Sequence, residues 1–159
     1  MAARIQDPDL AVFRAALRAG ALGPYVYAAL LGFRRYDAVS LDAHVRRGFA
    51  YSTLERFAHN ADVPVARIAE LAGIPVRTLA RRKKEGNLAP DESDRLARVC
   101  RLFALALALF EGDSTGARDW LSRPQRALDG RVPLEFGATD TGAQEVERLI
   151  GRLEHGIIV

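Results

Sequence analysis

The sequence predicts an all-α protein, a set of short helices arranged along one long helix. Three observations carry this. Apolar residues recur at i, i+3, i+4 and i+7 in segment after segment, the spacing that lines one face of a helix. No run alternates apolar and polar residues between turn signals, as a half-buried strand would. And after Pro90 the chain runs to Phe110, about six helical turns, without another proline or a glycine.

From the start, residues 9–19 form the first predicted helix. Leu10, Phe13 and Leu17 line one side, Arg14 and Arg18 the other, and Gly20 and Gly23 close it. Pro24 opens a short apolar helix ending near Gly32. A third, from about Ser40 to Arg47, turns Leu41 and Val45 inward. Tyr25 and Tyr27 read as packing residues rather than a site. Residues 51–60 follow with Tyr51, Leu54, Phe57 and Ala58 on the inner face. His59 falls near the end of that helix, where the dipole favours a cation.

Pro64 to Gly86 is the most legible stretch. Val65, Ile68, Ala69 and Ala72 make one helix face; Val76, Leu79 and Ala80 make a second; Gly73 stands at the bend. Glycine takes the positive φ of a tight turn without steric cost. Pro75 suits the first turn of the second helix, and Gly86 its end. Ala69 is small where the two helices cross closely, and Ile74 and Leu79 fill the wedge. Arg77, Arg81 and Lys84 recur at i, i+4 and i+7 along the second helix, with Thr78, Arg82 and Lys83 beside them. This is a helix-turn-helix with a basic outer face, the arrangement that enters a DNA groove. The alternative is a helical hairpin whose charges only face water.

Pro90, Asp91, Glu92 and Asp94 open the long helix with a proline early and acids in the first turn. Its first half is amphipathic, with Leu96, Val99, Cys100 and Phe103 inward and Arg95, Arg98 and Arg101 outward. Its second half is apolar nearly all round and must be covered on several sides. It reads as a spine joining two modules; an exposed dimerisation face is the alternative. Asp113 or Ser114 caps the next helix, with Ala117, Trp120 and Leu121. Pro124 to Leu134 reads as a turn-rich loop. Thr141 to Gln144 has capping-box spacing, and Val146, Leu149, Ile150 and Leu153 line a last helix ended by Gly156.

At 159 residues, 49% hydrophobic and 27% charged, the chain has the make-up of a soluble globular protein. Its longest apolar run, residues 102–110, is far shorter than the roughly 18 residues of a membrane span. The first residues carry no apolar signal core, so a cytoplasmic protein with no membrane partner is expected. Cys100 is the single cysteine, which forbids an internal disulfide; with only three scattered histidines, no metal site is expected. The net charge of +3 is uneven. Residues 1–64 hold eight basic and six acidic side chains, residues 65–110 nine and five, residues 111–159 six and nine. A basic middle joined to an acidic end suggests two different partners.

No constellation for catalysis is present. His44, His59 and His155 follow no ligand spacing, no glycine-rich loop follows a strand, and no serine sits in a nucleophile elbow. The acids all read as capping or solvated carboxylates. The chain is therefore expected to bind rather than react, with no cofactor.

Two blocks of residues resemble a known family. One runs from Arg77-Thr-Leu-Ala-Arg-Arg-Lys through Leu88, Ser93-Asp-Arg-Leu and Arg98. The other comprises Ala104, Phe110, Gly112-Asp113, Ala117, Trp120-Leu121, Pro124, Leu128, Gly130, Pro133-Leu134, Gly142, Val146, Leu149, Gly151-Arg152 and Gly156. From about residue 49 to the end the chain resembles the Xre/MbcA/ParS-type antitoxins, partners of RES-domain toxins. Ala89 departs from the serine-like cap usual there before the long helix. The resemblance implies an Xre/Cro-like DNA-binding domain over residues 49–101 and a toxin-binding domain over 102–159, with residues 1–48 as a helical extension. It also implies that the C-terminal domain blocks a cognate toxin that degrades NAD or transfers ADP-ribose. The complex would bind its own operator DNA.

On that footing Arg77, Thr78, Arg81 and Arg82 are the candidates for base edges, and Arg67, Lys83 and Lys84 for phosphates. Trp120, Leu121, Arg148, Arg152, Glu154, His155, Ile157, Ile158 and Val159 are the candidates for toxin contact. The tail would order on the toxin, a frayed end being the alternative. One module makes few contacts, so a dimer or a toxin-bridged hetero-oligomer is expected. A free-standing repressor sensing a small molecule is the rival reading.

Overall fold

A computed structural model describes residues 7–157, and among them it is helical with no sheet. The elements are α1 (Pro8–Arg18), a 3-10 helix (Val26–Leu31), α2 (Ala38–Arg47), α3 (Tyr51–Ala61), α4 (Val65–Leu71) and α5 (Val76–Glu85). Then come α6 (Pro90–Leu109), α7 (Ser114–Leu121), a 3-10 turn (Arg126–Leu128), α8 (Pro133–Phe136) and α9 (Asp140–Glu154). The long helix α6 is the axis. It packs on the 3-10 helix, α2, α3, α4, α7 and α9. Leu96, Cys100, Ala106 and Leu107 along it are wholly buried, and the core around them is continuous from Phe13 to Ile150. Cys100 donates its thiol to the Tyr27 carbonyl at 3.4 Å, and burial pushes that thiol well above its ordinary range. Tyr27, buried on the same side, is pushed up to about 12, chiefly by desolvation.

Local rules explain most of the helix ends. Asp37 and Asp113 cap α2 and α7 by accepting from Ser40 and Thr115 backbone N–H. Ala89, which cannot cap α6, is compensated: the Glu92 carboxylate accepts the Ala89 N–H at 2.8 Å. Two expectations need correction. The last helix starts at Asp140, not after Thr141, because Thr139 is its cap and accepts from Gly142 N–H at 3.1 Å; Gln144 bonds Asp140 instead of closing a capping box. Nor is every acid only capping or solvated: Asp9 is 7% exposed and pairs with α3, while Glu92, 6% exposed, does cap α6.

Asp9 ties the N-terminal helix to the rest. Its carboxylate accepts from Arg56 Nε at 2.5 Å and Nη2 at 2.6 Å, and from Asn60 Nδ2 at 2.9 Å. Farther along α1, Arg14 donates to the Gly112 carbonyl at 2.9 Å, so one helix bridges α3 and the start of α7. Burial raises the Asp9 carboxyl, but the bonds from Arg56 and Asn60 outweigh it and hold the group below its ordinary 3.8. A carboxylate held down in this way stabilises the fold above its unfolded pKa and stops doing so as pH falls through the folded value. Arg56 is half exposed, which moderates the effect. Asp9→Ala is expected to lose about 1 kcal/mol near neutrality. In urea titrations the difference from wild type should vanish below the folded pKa; a difference that persists unchanged there refutes the assignment.

Candidate nucleic-acid interface and C-terminal surface

Helices α4 and α5 meet at a turn where Gly73 has φ +68 and Ile74 is buried at 3% exposure. Ala69 is fully buried at the crossing. Arg95 on the spine donates to the Ala72 carbonyl at 2.7 Å and so caps the end of α4. Pro75 occupies the N-cap of α5, one residue ahead of the first helical position.

Helix α5 buries no side chain completely. The expected apolar face of Val76, Leu79 and Ala80 is therefore corrected: only Leu79 packs inward, while Ala80 is exposed and Val76 is 84% exposed. Other attachments replace it. Gly86, at φ +81, accepts the Tyr51 N–H at 2.8 Å, and Leu88 N–H donates to Phe49 O at 2.8 Å. In the last turn of the helix Arg82 pairs with Glu92, Nε to Oε2 at 2.8 Å and Nη2 to Oε1 at 3.1 Å, and with Glu85 at 2.9 Å. A helix held by Leu79, the chain just past its C-terminal end and one ion pair stands proud of the core, as groove insertion requires.

The basic residues divide by this geometry. Arg77, Arg81, Lys83 and Lys84 are exposed and Thr78 is half-buried. The weak Arg81–Glu85 contact at 3.7 Å leaves Arg81 largely in water. Arg82 is different: its side chain is 18% exposed and both edges of its fork are taken by carboxylates, which raise its pKa further. It holds α5 to α6 and has no face left for a base edge. Arg67 on α4 bridges Glu70 at 2.9 Å and Glu135 of α8 at 3.0 Å. From the sequence Glu92 reads as an ordinary first-turn acid, and nothing singles out Glu135. Neither carries a local sequence signal, because each partner lies on a different helix.

The spine's outer arginines are occupied as well. Arg98 donates to Ala138 O at 3.1 Å and Arg101 to Glu147 at 2.8 Å, both across to the C-terminal module. Arg118 of α7 reaches Asp62 at the end of α3. Within the module Leu121 is fully buried and so packs the core rather than meeting a partner. Trp120 is half-buried. The far end of α9 is open: Arg148, Arg152, Glu154 and His155 are exposed, and Ile157 is 54% exposed. Glu145, Arg148, Gly151, Arg152, His155 and Ile157 line a shallow hollow of about 390 Å³ there. The His155 ring lies 2.7 Å from the Gly151 carbonyl, and Ile157 N–H bonds Arg152 O at 2.9 Å. Ile158 and Val159 lie outside the described residues. Among the described residues no helix is long and apolar enough to cross a membrane, and no cluster of histidine, cysteine and carboxylates is placed to hold a metal ion.

Comparison with known proteins agrees with both halves of this picture. Residues 40–101 match the antitoxin Xre-like helix-turn-helix domain, and residues 105–156 the antitoxin Xre/MbcA/ParS C-terminal toxin-binding domain. The chain is 41% identical to an antitoxin Xre of Yersinia enterocolitica over 114 residues, 71% of this chain and 77% of the relative. It is 34% identical to an antitoxin Xre of Photorhabdus laumondii over 129 residues, 80% of this chain and 87% of the relative. An antitoxin Xre of Pseudomonas putida is 37% identical over 84 residues, 52% of each chain. At these identities and coverages the chain belongs to the Xre/MbcA/ParS antitoxin family, as a non-catalytic helix-turn-helix regulator with a toxin-binding module.

Proposed function

We propose that the protein neutralises a RES-domain toxin that degrades NAD or transfers ADP-ribose, covering its active site with the open end of α9 and the residues that follow. In the same reading α5 places the antitoxin on the operator of its own gene. Arg77, Thr78 and Arg81 face base edges and Lys83 and Lys84 face phosphates, with Arg82 as the positioning residue. The observation that carries the first half is the mixed surface at the end of α9, where Arg152, His155 and half-exposed Ile157 line one shallow hollow with the Arg148–Glu145 pair. Such a surface, apolar at its tip and charged around it, suits burial at the mouth of a polar pocket. A single α5 makes few DNA contacts, so two antitoxins, paired directly or through toxin, read two half-sites.

Co-expression with a neighbouring RES-type gene tests both halves. Removal of residues 155–159 should leave the toxin free to deplete NAD while the truncated antitoxin stays folded; full neutralisation by the truncated chain refutes the blocking role. Arg81→Ala should weaken operator binding at every salt concentration. Lys84→Ala should flatten the salt slope by about one unit, as loss of one phosphate contact does. Unchanged affinity in both variants refutes the DNA role of α5.

A further inference from the structure

We infer that Val76, with Ala80 one turn on, reads the C5-methyl group of thymine in the operator, which makes an apolar contact a determinant of sequence choice. The inference rests on the reading that α5 lies in the major groove.

Val76 gives the free protein almost nothing. It is 84% exposed, on a helix without a single fully buried side chain. A β-branched residue at an exposed helical position is slightly unfavourable to the helix itself. Scattered exposed hydrophobics are common on protein surfaces and by themselves mean little. The place of this one is what matters. It is the first helical residue of α5, and the N-terminal residues of a recognition helix are those that meet base edges. Ala80, at i+4, lies on the same edge and is exposed too, so the two form a short apolar strip. Exposed Arg77 and Arg81 run along one side of the strip, and these would face acceptors on the bases or the phosphates.

The chemistry of the groove selects the ligand. In the major groove guanine, cytosine and adenine present only donors and acceptors, whereas thymine also presents a methyl group. An isopropyl side chain has no hydrogen bond to offer. Placed against a donor or acceptor it strips water from a polar edge and returns nothing; placed against a methyl it buries apolar surface on both partners. Val76 therefore favours thymine at the base it meets and disfavours the other three.

The test replaces each thymine of the footprinted promoter duplex, one at a time, by deoxyuridine, which lacks only the methyl. Wild type, Val76→Ala and Arg81→Ala are compared, and far-UV circular dichroism confirms each fold. One position is expected at which wild type loses about fourfold in affinity per substituted half-site, the worth of one buried methyl, and at which Val76→Ala shows no further loss. If Arg81→Ala weakens binding but no thymine has this dependence on residue 76, the inference is overturned while α5 keeps its DNA role. If Val76→Ala weakens binding equally on all duplexes, the residue serves a protein contact and the inference is overturned likewise. If neither variant changes binding, the groove placement of α5 fails and takes the inference with it.

Discussion

Gly142→Ala should lower the unfolding free energy by about 3 kcal/mol and the melting temperature by roughly 10 °C. The sign makes this informative. Gly142 lies in the first turn of α9, and helix propensity alone predicts that alanine there would stabilise by about 1 kcal/mol. Space decides otherwise. A Cβ on residue 142 would fall inside the envelope of the Phe136 carbonyl oxygen, and its next contacts are the Phe136 carbonyl carbon and ring. A backbone oxygen at the end of a short helix cannot rotate away as a side chain can. Helices α8 and α9 must part, which uncovers Leu134, now 6% exposed, and disturbs the cap from Thr139. Urea denaturation settles the matter: a variant as stable as wild type, or more so, would show that propensity wins and that the two helices separate freely.

Arg82→Ala comes next, at about 2 kcal/mol near neutral pH. The value is set below that of a fully buried pair because Glu85, the second partner, is itself 47% exposed. What remains after the substitution is a Glu92 carboxylate in a site where its own side chain is 8% exposed, with only the Ala89 N–H to answer it. In the wild type, burial raises the Glu92 carboxyl, yet Arg82 and the Ala89 amide outweigh burial and hold it below its ordinary 4.5. Its contribution is therefore present above the unfolded pKa and disappears as pH falls through the lowered folded value. Without Arg82 burial prevails and raises the Glu92 carboxyl, so the variant is relieved, not harmed, by acid. The stability gap between the two proteins should narrow steadily as pH drops through the carboxylate range. A gap that stays constant would mean that Arg82 acts only through the packing of its stem. Operator binding should fall too, since Arg82 is the side chain that ties α5 to the spine.

The helical fold was legible because its signals are local. Glycine at the bend, proline and acids opening the spine, and apolar residues at helical spacing each need only a few neighbouring residues to be read. The failures share a cause. Val76 and Ala80 have the spacing of an inner face, but a recognition helix stands away from the core, and an ion pair does the work that such a face does elsewhere. Arg82 sits among cations that face water, and nothing near it shows that Glu92 on the next helix closes over it. Leu121 adjoins the half-exposed Trp120 yet lies about 100° further round α7, where the core covers it. Asp9 resembles an ordinary first-turn acid, and its partners lie on a helix some fifty residues away. Periodicity shows which side of a helix is apolar; it does not show whether anything covers that side.

The continuous core around α6 has a consequence for how the protein can fail. Side chains of the DNA-facing and partner-facing halves meet on the same helix, and α1 and the Arg118–Asp62 and Arg67–Glu135 pairs stitch the halves together from outside. A chain packed in this way is expected to unfold globally as one cooperative unit. Global unfolding then releases both grips together. When a molecule is lost to unfolding or proteolysis, transcriptional control and toxin restraint end in the same event, and the cell receives a single, sharp signal.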